Sequence, residues 1–243
     1  MAGRRLPRVA YDYLERGAED DVTLARNRSA LETIRFVPRA LVDVSLHPYW
    51  LTNVFLRTLI TSGVPRFQNV DSDVGGRIVA KNLSEFRARR DALDWTDLAW
   101  MRELWPKKLM VKGVMTAEDA VAAERHGADG VFVSNHGGRQ LDGVDSPIEA
   151  LPEIVAAVGG KLAVMIDSGF RRGTDIVKAI ALGADMVFVG RAPLYGASAG
   201  GEVGVARAVE LLKSEIDRAM ALLGCNTVDE LTPECLRLPR TGT

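Results

Sequence analysis

The sequence predicts an α/β fold in which about four parallel strands, with their helices, make half of a (β/α)8 barrel behind an N-terminal helical cap. Three observations carry this. From residue 106 onward, short β-branched runs alternate with helical segments. An internal repeat places Gly127-Ala128-Asp129 before Val131-Phe132-Val133, and again Gly183-Ala184-Asp185 before Val187-Phe188-Val189. Polar residues then follow each apolar run, at the ends where parallel barrel strands form their active face.

Residues 1–45 read as the cap: Leu6-Pro7 suits a helix entrance, and Val9, Tyr13 and Leu14, then Leu24, Leu31 and Ile34, recur at helical spacing. Residues 46–105 form a second region without strand pattern, holding an apolar stretch at 50–60, a turn-forming SGVP at 62–65 and helical patterns up to Trp105. The third region, 106–243, holds the strands, expected at 108–113, 130–135, 162–167 and 186–190. The helices ahead of the repeated strands also correspond, Glu118-Asp119-Ala120-Val121 matching Thr174-Asp175-Ile176-Val177. Duplicated βα units of this size are typical of the TIM (β/α)8 barrel, whose eight units take about 250 residues, so only half of one is visible. A last helix is expected over 201–223, closed by Gly224 as a C-cap.

Composition narrows the function. The 31 basic and 32 acidic residues give a net charge of -1 without a long single-sign run, which argues against a nucleic-acid partner. Only Cys225 and Cys235 are present, lacking CxxC spacing and a nearby histidine pair, so neither a metal site nor a disulfide scaffold is expected. Two arginines near the start precede no apolar signal core, and no apolar run reaches the ~18 residues of a membrane span, so the expectation is a cytoplasmic protein.

The strand ends converge on one chemistry. The first ends in Lys112-Gly113, the second in Ser134-Asn135-His136-Gly137-Gly138-Arg139, the third in Asp167-Ser168-Gly169-Phe170-Arg171-Arg172-Gly173 and the fourth in Gly190-Arg191. The glycines of the last two loops let backbone N–H groups approach a ligand, and Arg171 and Arg191 can clamp a phosphate there. His136 stands where a general base is needed, with Asp167 on the next strand to orient it and stabilise its charged form. Arg139 is placed to read a carboxylate, and Lys112, ending an apolar run, needs an anionic partner. Together they point to reaction at a carbon next to a carboxylate, beside a phosphate-bearing cofactor.

The strings VKGV, SNHGGRQLD, DSGFRRGTDIVKA and VGRAPLYG, with YDYLERGAEDDVTLARNR near the start, resemble the FMN-dependent α-hydroxy-acid dehydrogenase/oxidase family, whose members include glycolate oxidase, L-lactate dehydrogenase and (S)-mandelate dehydrogenase. DSGF and the segment at 47–70 resemble the mandelate dehydrogenase branch most. The resemblance implies FMN as cofactor, a small L-2-hydroxy acid as substrate, and oxygen, a quinone or a cytochrome as electron acceptor. It implies that His136 is the base, partnered by Asp167, and that Arg139 and Tyr13 hold the substrate carboxylate. Lys112 would stabilise the reduced flavin, and Ser134, Asp167, Ser168, Gly169, Phe170, Arg171, Gly190 and Arg191 would contact FMN. A homo-oligomer is expected because a half-barrel needs a partner to close, and residues 50–60, amphipathic at helical spacing, are read as a peripheral membrane contact, as the resemblance to mandelate dehydrogenase implies, or as a packing element.

One departure stands out. Where family members carry a long stretch with the first four barrel strands, Ser45 is followed at once by Leu46-His47-Pro48. The chain thus reads as a truncated half-barrel, either active in FMN-dependent 2-hydroxy-acid oxidation, alone or paired with a second copy, or an inactive remnant. A sugar-phosphate isomerase is a third reading, against which SNHGGRQLD argues.

Overall fold

The computed structural model describes residues 21–34 and 94–238. The rest of the expected cap with Tyr13, and the stretch at 50–60, lie outside the described residues. The elements run α1 (Val22–Thr33), α2 (Trp95–Leu104), β1 (Met110–Val114), α3 (Ala117–Arg125), β2 (Gly130–Val133), α4 (Pro147–Val158), β3 (Ala163–Ile166), α5 (Gly173–Ala181), β4 (Met186–Val187) and α6 (Arg191–Leu223). Local chemistry sets several boundaries. Asp94 and Asp97 form a capping box on α2, Thr116 caps α3 through the Asp119 N–H, and Pro147 opens α4.

The four strands pair in parallel in sequence order, β1-β2-β3-β4, as successive βα units of a barrel do. Val131, Val133, Val164 and Ile166 point outward and are buried against Ala120, Ala123, Ile148, Leu151, Ile154 and Val158 of the helices. Each large apolar side chain contributes about 1.5–3 kcal/mol on burial, against about 0–1 kcal/mol for an exposed ion pair. The outer core therefore holds the fold together. The opposite face is concave. Neighbouring strands lie about 4.8 Å apart, so two strands separated by a third stand about 10 Å apart. Yet the rings of Phe132 on β2 and Phe188 just after β4 approach to 4.6 Å.

The repeat has one structural meaning in both copies. The Ala128 and Ala184 N–H groups bond back to Ala123 O and Ala179 O, closing α3 and α5. The aspartate that follows is then bound to the preceding strand. Asp129 donates its N–H to Leu109 O and accepts the Leu109 N–H at 2.9 Å, while Asp185 treats Val164 in the same way, accepting its N–H at 2.7 Å.

Two boundaries differ from the sequence reading. Strand β4 has only two paired residues, because the chain turns into α6 soon after Val187. Helix α6 begins ten residues earlier than 201, with a first arm that ends where Gly200 and Gly201 leave helical geometry. Beyond that break the chain folds back so closely that Gly196 and Gly204 meet backbone to backbone, which residues with a Cβ would prevent.

Asp129 also accepts from Lys108 and Arg102, and these bonds, with Leu109 N–H, hold its carboxyl well below the usual carboxylate range. The folded state therefore binds fewer protons here than the unfolded chain. The stability this contributes is complete above the unfolded carboxylate's pKa of about 4 and is lost as pH falls through the folded value. Asp129→Asn is expected to lower the melting temperature at pH 7 by the most, and by progressively less as pH falls from about 4 toward 2, as a series of thermal scans across that range will show.

Candidate functional site

All four strand ends meet at one rim because the strands are parallel and in register. Between Lys112 and Val114 the β1–β2 register shifts, so Gly113 forms a bulge with a φ of 100°. A Cβ there would lie 3.1 Å from His136 Nε2. Glycine is thus required both by the backbone conformation and by the histidine ring above it.

A hydrogen-bonded cluster ties the strand ends together. Lys112 Nζ donates to Ser134 Oγ at 2.7 Å and to Asp167 Oδ2 at 2.5 Å, and lies 4.5 Å from the Phe132 ring centroid. Asp167 Oδ1 accepts from Ser134 Oγ at 2.5 Å and from Ser168 Oγ at 2.8 Å. Ser134 Oγ in turn accepts the His136 N–H at 3.1 Å, and Ser168 Oγ accepts the Gly137 N–H at 2.9 Å. One carboxylate thereby fixes, through two serines, the backbone that carries His136. That backbone is unusual, since His136 has a φ of 57° and Ser168 one of 78°, a left-handed region that side chains other than glycine seldom adopt.

Lys112, His136, Arg139, Asp167, Arg171 and Arg191 line one cavity of about 270 Å³. Ser168, Gly169, Phe170 and Gly190 complete its wall, with Phe188 and Leu194 as apolar surface. Buried Ser134 acts through its bonds to Lys112 and Asp167. The sequence-expected residues that fall in the described part are therefore gathered in one place. Arg191 Nη2 donates to Gly137 O at 3.2 Å, and Arg171 stacks its guanidinium over Tyr195 at 5.7 Å, so both arginines are held at the rim.

Helix α1 supplies what the sequence reading missed. Asn27, 1% exposed, exchanges amide hydrogen bonds with buried Asn135, 2.8 Å in one direction and 2.5 Å in the other. Asp142, at the end of SNHGGRQLD, accepts the N–H groups of Thr23 and Val22 and so caps α1 from a distant loop. The Thr23 bond first, then that of Val22, holds the Asp142 carboxyl below its ordinary range. Arg28 lines the cavity and donates to Asp175 Oδ2 at 2.9 Å, and the same oxygen accepts the N–H groups of Arg171 and Arg172, each at 3.0 Å. Burial works against the Arg28 charge, but Asp175 and Glu32 raise its pKa above the usual guanidinium value. The partial sequence signal for these four residues was their place inside motif strings; their partners lie too far along the chain to be inferred. Among the described residues no group of three or more His, Cys, Asp or Glu forms a metal-binding cluster, and no helix is long and apolar enough to cross a membrane.

Removing the Asn27 amide takes from Asn135 two hydrogen bonds while it keeps those with Asp145 O and Gly138 N–H, which costs about 0.5–1.5 kcal/mol per bond lost, about 1–3 kcal/mol for the two. Asn27→Ala is expected to lower the unfolding free energy by that amount, with an unchanged denaturant slope in urea melts.

Comparison with other proteins agrees with this geometry. The profile of the FMN-dependent dehydrogenase family matches the chain in two pieces, residues 2–55 and 44–238. (S)-Mandelate dehydrogenase of Pseudomonas putida is 45% identical over 199 residues, which cover 82% of this chain and 49% of the relative. The chain thus spans about half the length of that enzyme. Glycolate oxidase of Spinacia oleracea is 32% identical over 339 aligned positions, covering 96% of this chain and 92% of the relative. That alignment is longer than the 243-residue chain itself, so the relative carries a long block with no counterpart here, and the two profile pieces overlap at residues 44–55, a stretch that includes Ser45. Among solved structures, the monotopic membrane protein (S)-mandelate dehydrogenase superposes with a TM-score of 0.80 at 31% identity, covering 98% of this chain and 97% of that one. A flavocytochrome b2 variant with pyruvate bound gives 0.74 at 26% identity, covering 100% and 86%. With a barrel sheet, a single polar rim and a profile match along most of its length, the chain belongs to the FMN-dependent dehydrogenase family.

Proposed function

We propose that this chain carries the base-bearing half of an FMN-dependent site that oxidises an L-2-hydroxy acid to the 2-oxo acid. The observation that carries the reading is the convergence of Lys112, His136, Arg139, Arg171 and Arg191 on one cavity at the strand ends of a family member. Relatives named for mandelate, lactate and glycolate support a small 2-hydroxy acid as the substrate class.

The residues present fit FMN at its phosphate end and along one edge of its ring. Arg171 and Arg191 offer two cations beside glycine-rich backbone, and a Cβ at Gly190 would meet nothing within 4 Å, which leaves open space for a phosphate. Ser168, Gly169 and Phe170 border the same space. Lys112, with Ser134 and Asp167, presents a positive charge where a reduced ring becomes anionic. When bound, FMN supplies a two-electron acceptor.

His136 takes a proton from the substrate at a ring nitrogen, and Asp167, which lines the same cavity, is assigned by the family resemblance to favour the imidazolium that results. Arg139 grips the substrate carboxylate and so holds the reacting carbon against the base. Tyr13 is assigned to the same carboxylate by family resemblance. The names of the relatives include both oxidases and dehydrogenases, which supports oxygen, a quinone or a cytochrome as acceptor class. A homo-oligomer and a peripheral membrane contact through residues 50–60 complete the reading, the latter supported by a membrane-associated relative.

A second reading is a folded remnant without activity, favoured by the missing block, which removes the opposite wall of a complete barrel site. The visible absorption spectrum of the purified chain, followed by anaerobic addition of mandelate or lactate, separates the two. A flavin band that bleaches is the expected result, whereas no band even after incubation with FMN selects the remnant. In a protein that bleaches, His136→Gln is expected to slow flavin reduction by about 10²- to 10⁴-fold while the flavin band stays. Arg139→Met should lower kcat/KM about 10- to 100-fold, the loss of one charged hydrogen-bond pair. Rapid reduction by the His136 variant overturns the base assignment.

A further inference from the structure

We infer that Cys225 and Cys235 are a modification site, closing into a reversible disulfide that clasps the C-terminal segment to the outer face of the half-barrel. Their Sγ atoms lie 3.9 Å apart, and both face the Glu230 carbonyl, at 3.6 Å and 3.8 Å. A disulfide needs about 2.05 Å between sulfurs, within reach of side-chain rotation when the intervening chain is a surface loop. The two cysteines here flank such a loop. It consists of short 3-10 turns at Val228–Glu230 and Pro233–Cys235, with Leu231 between them pressed into a second core of Val177, Ala181 and Ala219.

The placement gives the bond a purpose. Cys225 follows Gly224, the left-handed cap of α6, and its N–H bonds to Met220 O at 3.0 Å, so one sulfur stands on a rigid helix end. Cys235 stands at the far end of the loop, next to Leu236, which touches both cores. Joining them fixes the loop that keeps Leu231 against α5, the helix whose first turn follows the Arg171-Arg172 loop. A zinc-like role is disfavoured, because no third ligand joins the pair among the described residues. Both thiols are partly buried, and burial, then Cys235, pushes the Cys225 thiol above its ordinary value. The thiolate is therefore scarce at neutral pH, and closure is expected to accelerate as pH rises.

The oxidant is a low-molecular-weight disulfide. One protein thiolate attacks it, forms a mixed disulfide and releases one small thiol; the second protein thiolate then displaces the other small thiol as the Cys225–Cys235 bond forms. The two protein thiol protons end on the released thiols, and the two electrons the protein gives up reduce the small disulfide.

The test incubates the reduced full chain with glutathione disulfide, blocks remaining thiols with iodoacetamide and measures the intact mass. Closure predicts a mass lower by two hydrogens, no alkylation, an unchanged monomer band without reductant, and a melting temperature raised by about 5 °C that dithiothreitol reverses. In Cys235→Ala the glutathione adduct should persist on Cys225. Two alkylated thiols at equilibrium, a lasting adduct on the unaltered chain, or disulfide-linked dimers overturn the bond. A closed bond without a rise in melting temperature overturns the clasp. The mass measurement on the unaltered chain decides the matter even where the variant fails to fold.

Discussion

The site depends on a polar seam between helix α1 and the two loops that carry its chemistry. Asn27 with Asn135 binds the helix to the His136 loop, and Arg28 with Asp175 binds it to the Arg171 loop. Asp142 caps its first turn. These contacts are mutual. A helix of this length is marginal by itself, and α1 also has a largely polar sequence, so it gains its fixed place from the loops and from Ala30 and Leu31, which are buried in the main core. The loops, which contain left-handed residues that the chain would otherwise leave, gain theirs from the helix. A change on either side of the seam is felt at the loops that carry His136 and Arg171.

The seam also carries the electrostatic load of the structure. Asp175 is 2% exposed, and a carboxylate so buried persists only when its oxygens are satisfied and its charge is met. Arg28 does this from one side and the N–H groups of Arg171 and Arg172 from another. Lys178 lies one helical turn along α5, donates to Leu31 O at 2.8 Å, and so fastens the far end of α1. Burial lowers its pKa below the ordinary lysine value, and Asp175 opposes that shift. The same carboxylate that shapes the loop thus offsets part of the cost of burying the ammonium.

Much of this was legible in the sequence, and the boundary of legibility has a physical cause. The strands, the repeated Gly-Ala-Asp turns and the cluster of Lys112, His136, Asp167, Arg171 and Arg191 are local features: each depends on a periodicity or on position after an apolar run. The first arm of α6 was missed because Ala199-Gly200-Gly201 breaks the helical pattern from which its continuation would be read. Ser134, expected to line the flavin, links Asp167 to the His136 backbone in the structure. Asn27, Arg28, Asp142 and Asp175 could not be paired from sequence, since an amide or carboxylate does not announce a partner more than a hundred residues away. Tyr13 rests on resemblance alone.

That so complete a rim persists beside a missing block follows from the way parallel barrels are built. Each βα unit packs its helix on its own strand and on the next unit, so among the described residues most of the contacts that shape β1–β4 are made within residues 94–238, with Ala30, Leu31 and Ile34 joining the same core. Removing units on one side leaves those contacts in place. What it takes away is the far wall: the concave face that holds Lys112, Phe132 and Phe188 has Met186 and Phe188 49% and 41% exposed, where a closed barrel would fill its interior. In the proposed function, the base and the phosphate-binding arginines both belong to the retained side. Enclosure from water needs both sides, and without it each charge at the rim acts through a higher dielectric and does less for the transition state. On the function proposed above, the retained residues would set the kind of reaction, and closure of the concave face would decide whether and how fast it runs.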